Sequence, residues 1–222
     1  MSHTYEYPHP AVTVDACLFT ILDDQLKILL IKRGLEPFKG DWALPGGFIQ
    51  MDENLDEAVQ RELKEETGAT GFNFEQLGTF GQVDRDPRER VISVAYFALA
   101  PAEHVVLKAD TDADEAAWFP IDELPDLAFD HAGIINKAAK RVRTEVENST
   151  AAFEFLPKKF TISDVRQVFE CVQGYPIDKR NFQKRLLARE LIRPLGEKRQ
   201  GSHRPAELYG LHPVVRKNLR RN

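Results

Sequence analysis

Residues 46–69, GGFIQMDENLDEAVQRELKEETGA, describe a helix that carries carboxylates where a helix of a folded protein should be apolar. Asn54 with Glu57 three positions on is a capping-box start, Gly68 suits a left-handed C-cap, and neither Pro nor Gly intervenes. A helix is therefore predicted from about Leu55 to Thr67. At about 100° per residue, with Leu55 at zero, Val59 falls near 40°, Leu63 near 80°, Glu66 near 20°, Glu62 near 340° and Ala58 near 300°. Glu62 and Glu66 thus share the apolar face. Acids in a last turn also meet the partial negative end of the helix, an unfavourable contact of roughly a few tenths of a kcal/mol each. An ordinary acidic helix turns its charges to water, opposite the core, and this spacing contradicts that arrangement. Two glutamates at i and i+4, with Glu65 at i+3, converge above the helix and call for a hard divalent cation with oxygen ligands. Mg²⁺ or Mn²⁺ is expected, because neither His nor Cys lies nearby to suit zinc.

The rest of the chain of 222 residues, 42% hydrophobic, is ordinary globular material for one large domain or two small ones. The net charge of −5 conceals a division: residues 1–149 hold 14 Lys and Arg against 28 Asp and Glu, whereas residues 150–222 hold 16 against 7. Opposite electrostatics suggest two domains with different partners, 1–149 and 150–222, with Asn148-Ser149-Thr150 as the linker candidate. No apolar run is long enough to span a membrane, and MSHTYEYPHP lacks the basic-then-apolar layout of a secretory signal, so a cytoplasmic location is expected. Cys17 and Cys171 are read as reduced, buried small apolar residues.

Strand-like runs are predicted at Ala11–Leu22 and Gln25–Lys32, joined as a hairpin by Asp23-Asp24, then at Ala43–Gln50, Gly71–Val83, Val91–Ala100 and Ala116–Pro120. A helix follows from an N-cap at Asp130 to Glu147. This is an α+β pattern with a mixed sheet rather than a βαβ alternation. Beyond residue 150 the pattern changes to a helix capped by Thr161 or Ser163, a second helix capped by Asp178, and two short strands around a basic turn. That is the winged-helix order.

The opening segment fits GX5EX7REUXEEXGU, with Gly47, Glu53, Arg61, Glu62, Leu63, Glu65, Glu66, Gly68 and Ala69 in register, and so resembles the Nudix hydrolase box. The resemblance implies an α/β/α sandwich that cleaves a diphosphate linked to two other groups, with cations neutralising the phosphate oxygens and sharpening a water for attack. It assigns Glu62 and Glu66 to the metal, Glu65 as a further ligand or base, and Arg61 as the residue that orients Glu53 or Glu62. It also makes a carbonyl in the Pro45-Gly46-Gly47 turn a metal ligand, for which Gly47 is the candidate. GQVDRDPRERVISVAYFAL, residues 81–99, and LPDLAFDHAGII, residues 124–135, look like the ADP-ribose pyrophosphatase subgroup. Ligand contacts are then expected from Gly46, Gly47, Arg33, Arg85 and Arg88, although a loop salt bridge is the plainer reading of each arginine. His131, beside Asp130, is read as part of a helix start rather than as a catalytic base.

Within the helix that begins at Lys179, Arg180, Asn181, Lys184, Arg185 and Ala188 fall in an arc of roughly 140°, with Phe182 and Leu186 on the other side. Arg and Lys can contact phosphates or guanine and Asn can read adenine, so this face suits a recognition helix. Lys198, Arg199, His203 and Arg204, in the turn between the two strands, suit a wing. FTISDVRQVFECVQGYPIDKRNFQKRLLARELI followed by RPAELYGL resembles the C-terminal domain of the Nudix-related transcriptional regulators of NAD metabolism. That resemblance implies a homodimer that binds double-stranded operator DNA, represses NAD-synthesis genes and senses ADP-ribose. An intact box further implies retained Mg²⁺-dependent hydrolysis of ADP-ribose. The alternatives are a dedicated Nudix diphosphohydrolase with an accessory basic C-terminal domain, and an RNA-end hydrolase.

Overall fold

The computed structural model describes residues 6–102, 113–200 and 205–218; His203 and Arg204 lie outside the described residues. Contacts divide the chain into two compact units. The first comprises residues 1–19, 27–98 and 105–141, and the second residues 20–26, 99–104 and 142–222.

The first unit is built on a mixed sheet. Strands β1 (Ala11–Leu22), β2 (Gln25–Arg33), β3 (Trp42–Ala43), β5 (Glu75–Phe80) and β6 (Val91–Leu99) lie in the order β3-β2-β1-β6-β5, while β4 (Gly46–Phe48) pairs with β1 and β7 (Ala113–Pro120) with β2. β1 is buried continuously from Thr13 to Thr20, and β6 almost throughout. Strands buried on both faces need apolar residues without alternation, which is how AVTVDACLFTIL and VISVAYFAL read. Asp23 and Asp24 both adopt positive φ (52° and 59°), the two-residue turn that matches strand twist in a tight hairpin.

The expected strand over Gly71–Val83 is shorter, Glu75–Phe80, because only this part finds a partner: its register runs from Glu75 opposite Phe97 to Phe80 opposite Ser93. Helix α1 spans Leu55–Thr67, with the Asn54–Glu57 capping box formed and Gly68 left-handed at φ 71°. Helix α2 spans His131–Asn148. Asp130 does not serve as its side-chain cap, since that carboxylate is turned onto Arg85.

In the second unit, a 3-10 turn at Ala151–Phe155 leads into α3 (Ile162–Gln173) and α4 (Lys179–Ala188), followed by the antiparallel pair β8 (Ile192–Arg199) and β9 (Ala206–Leu211), and by α5 (Pro213–Asn218). Of the two caps considered for α3, Thr161 forms it, in a box with Asp164, and Gly174 closes the helix at φ 79°. Asp178 caps α4 by accepting from Asn181 N–H. Phe160 and Tyr209 exchange backbone hydrogen bonds of 3.0 and 2.7 Å, adding a third short segment to the β8–β9 ribbon. Phe153, Phe160, Val165, Phe182, Leu186, Ile192 and Tyr209 form the core, so the 3-10 turn, α3, α4, β8 and β9 all contribute to one apolar cluster.

Candidate functional site

The cleft in the first unit is organised around the Leu44–Gly47 turn. Pro45 C=O accepts the Ala16 N–H at 2.8 Å, and Gly46 and Gly47 pair in register with Asp15 and Val14 of β1. A Cβ on Gly46 would lie 2.2 Å from the Val14 carbonyl oxygen, and one on Gly47 would lie 2.5 Å from Glu62 Oε1. These glycines are therefore required by close approach, one to backbone and one to an acidic side chain.

Opposite the turn, α1 presents its glutamates unequally. Arg61 gathers two of them together with Glu53, which precedes the helix: Nε and Nη2 donate to Glu53 at 2.8 and 2.5 Å, and Nη1 donates to Glu62 at 2.7 Å and to Glu65 at 3.1 Å. Nη2 also donates to the Phe48 carbonyl at 3.2 Å, tying the helix to β4. Glu65 remains 54% exposed in its side chain while Glu62 is 13% exposed, so two acids of the last turn face inward and the third lies at the rim. Glu53 is held at about 2 by its hydrogen bond from Arg61, whose own pKa is raised chiefly by that bond. Desolvation pushes the Glu62 carboxyl up against the opposing pull of Arg61.

Glu66 differs. Its Oε2 accepts the Gly46 N–H at 2.9 Å, and burial pushes its carboxyl up to about 8, with the nearby Glu62 and Asp15 charges adding to the shift and the Gly46 bond opposing it. A mostly buried carboxylate aimed at a main-chain turn, beside another, is a hard oxygen set that fits Mg²⁺ or Mn²⁺. Among the described residues, no three His, Cys, Asp or Glu side chains are gathered closely enough to enclose an ion by themselves, so main-chain oxygens would have to complete such a set.

The cleft, about 370 Å³, carries positive charge on its other side. Arg33 lies over the Phe129 ring at 4.7 Å and donates to the Pro37 carbonyl at 2.9 Å, and burial followed by the neighbouring Arg88 lowers its pKa. Arg88 is bonded to Asp86 at 3.0 and 2.7 Å and stands between Phe48 (5.3 Å) and Phe129 (5.7 Å). Arg85 lines the same cleft but is committed inward: its side chain is 4% exposed, paired with Asp130 at 2.7 Å and lying 3.6 Å from Asp15. Carboxylates facing two guanidinium groups across a cleft suit a polyanion held partly through a cation.

The cleft also includes Asp15, Phe48 and Phe129, which the sequence reading does not single out, and His131, expected only as part of a helix start. Asp15 had a signal, an acid inside an otherwise apolar strand. His131 is buried and belongs to the site as well as to the start of α2.

In the second unit, Lys179, Arg180, Asn181, Lys184 and Arg185 are all exposed on α4, with Phe182 and Leu186 turned into the core. Asn181 and Arg185 also border a groove with Phe169 and Tyr175. Lys198 is exposed on β8. Arg199 makes a two-pronged pair with Asp164 at 3.0 and 2.8 Å, so the wing is strapped to the capped start of α3.

A cleft with buried carboxylates facing guanidinium groups on a mixed sheet, followed by a winged helix with a basic second helix, defines a class: a Nudix domain joined to a DNA-binding module. Residues 12–138 match the NUDIX domain and residues 152–211 match the NrtR DNA-binding winged helix domain. The chain belongs to the Nudix family and, within it, to the NrtR-type regulators. It is 31% identical over 208 residues to the ADPR responsive transcriptional repressor NtrR of Acinetobacter baylyi, covering 92% of this chain and 83% of that protein. It is 49% identical over 129 residues to the ADP-ribose pyrophosphatase of Methanocaldococcus jannaschii, covering 58% and 73% respectively. Shewanella oneidensis NrtR complexed with a 27mer DNA superposes with a TM-score of 0.79 at 36% identity, covering 93% of this chain and 95% of that one.

Proposed function

We propose that this chain is a transcriptional repressor of NAD-metabolism genes that senses ADP-ribose in its Nudix cleft. It works in the cytoplasm as a homodimer on double-stranded operator DNA. The observation that carries this reading is the pairing, in one chain, of the Glu66–Arg33–Arg88 cleft, with Glu62 against Gly47 at its edge, and the exposed basic face of α4. Glu62 and Glu66, with main-chain oxygen from Gly46 or Gly47, would hold Mg²⁺ or Mn²⁺; Glu65 and Glu53 act through Arg61. When bound, the ion neutralises diphosphate oxygens and lowers the pKa of a water. Arg33 and Arg88 grip the remaining phosphate charge, and Phe48 and Phe129 give the cleft flat apolar walls. Arg85 sets the shape of the cleft through Asp130 and Asp15. On the DNA side, Lys179, Arg180, Asn181, Lys184 and Arg185 meet the groove and Lys198 the backbone, with Arg199 fixing the wing.

Bound ADP-ribose weakens operator binding, which requires it to bind the two arrangements of the molecule unequally. Gel-shift titrations with DNA from upstream of NAD-synthesis genes test the reading: a shifted band that ADP-ribose disperses is expected, and no shift at all overturns it. The sensor and DNA-binding domains meet at 149/150.

The 49% identity to an ADP-ribose pyrophosphatase favours a second activity in the same cleft, Mg²⁺-dependent hydrolysis of ADP-ribose to AMP and ribose 5-phosphate. Product release by the wild type and not by Glu66→Gln is expected; equal background in both would count against it.

A further inference from the structure

His131 takes no part in the grip on phosphate assigned above, yet it is only 4% exposed and both its ring nitrogens face partners. Leu44 N–H donates to Nδ1 at 2.9 Å. An Nδ1 that accepts carries no hydrogen, so the neutral ring has its hydrogen on Nε2. Nε2 lies 3.5 Å from Asp15 Oδ1. Asp15 is itself fixed from behind, by the hydroxyl of Ser93 and by Arg85, which Asp130 holds in turn. The Phe129 ring packs at 5.3 Å from the imidazole and limits its swing.

What this chain fixes is the metal-side turn. Leu44 is the first residue of Leu44–Gly47, and its buried N–H is satisfied by a side chain from a distant helix rather than by the sheet. Two residues on, Gly46 N–H is the donor to Glu66. Gly46 also sits against the Val14 carbonyl too closely for any Cβ, so the turn has little room to shift without losing its register on β1. A buried N–H left without an acceptor is unfavourable enough to displace such a turn.

We propose that His131 is a positioning residue for the diphosphate site: its Nδ1, with Asp15 steadying the opposite edge of the ring, pins the Leu44–Gly47 turn so that Gly46 N–H meets Glu66 and the main chain of the turn faces the ion. The link to ion and diphosphate rests on the function proposed above; the link to the turn does not.

The test uses the full chain and three variants. His131→Asn can place Oδ1 where Nδ1 stood and keep the acceptor, His131→Phe keeps the ring without it, and His131→Gln offers its polar atoms near the Nε2 position instead. Amide hydrogen exchange of the metal-free proteins at Leu44 and Gly46 should be about tenfold faster in His131→Phe and His131→Gln and near wild type in His131→Asn. Calorimetric affinity for ADP-ribose in Mg²⁺ should follow the same order, with about a tenfold loss that Asn rescues. Wild-type exchange in both His131→Phe and His131→Gln overturns the proposal, as does exchange in His131→Asn as fast as in either. Should His131→Phe fail to fold, His131→Gln against His131→Asn decides alone. If the wild type itself takes up neither Mg²⁺ nor ADP-ribose, the functional reading falls while the exchange rates still judge the role of His131.

Discussion

Arg61 and Glu66 divide the work of the acidic helix between them. Arg61 donates to Glu53, Glu62 and Glu65 from one guanidinium, whereas Glu66 has only the Gly46 N–H as its hydrogen-bond donor among the described residues. Its carboxyl, raised to about 8, keeps its proton in the folded metal-free protein at neutral pH and loses it on unfolding, where the ordinary carboxylate value applies. The folded state then binds more protons than the unfolded state between about pH 4.5 and 8, so metal-free stability falls as pH rises through that window. Denaturant unfolding at several pH values should show this slope, and Glu66→Gln should flatten it while abolishing Mg²⁺-dependent ADP-ribose binding. The two glycines give a second contrast. Gly46→Ala drives a Cβ into backbone and should destabilise by about 2–4 kcal/mol, while Gly47→Ala meets the movable Glu62 side chain and should mainly weaken metal binding, by about tenfold. Thermal melts and metal titrations separate them. At this scale the box residues were legible because their spacing alone places them. Asp15 and His131 were harder to assign: each works through partners some 80 to 115 positions away in sequence, which no local pattern displays.

Caps made the helices readable. α1 and α3 begin and end at residues whose side chains satisfy orphan N–H groups or whose φ is left-handed. Thr161→Ala should therefore lower the stability of the second unit by about 1 kcal/mol in chemical unfolding. Strands were less readable at their ends, since pairing sets them: β5 stops where β6 no longer faces it. The exposed face of α4 makes a graded prediction. Lys184→Ala or Arg180→Ala should each reduce the slope of log affinity against log salt by about 0.9, one phosphate contact apiece, whereas Asn181→Ala should relax sequence preference with the slope unchanged. Arg199→Met is expected to loosen the wing by freeing Asp164, lowering stability more than salt slope. Anisotropy titrations at several salt concentrations distinguish these.

For the whole molecule, the charge division is the feature that composition alone displays, with 28 acids against 14 bases in residues 1–149 and 7 against 16 in residues 150–222. An acidic sensor and a basic reader keep the effector site from attracting DNA, and they make the affinity for DNA depend on salt. Truncation after Glu147 should leave ADP-ribose binding and remove DNA binding. The account stands or falls on coupling between the two. Labelled operator DNA from an NAD-synthesis gene, titrated with the full chain in Mg²⁺ and followed by fluorescence anisotropy, should show affinity falling by about tenfold or more on adding ADP-ribose to the wild type, and no change with Glu66→Gln. Equal operator affinity with and without ADP-ribose in the wild type, or an equal loss in both proteins, would contradict it.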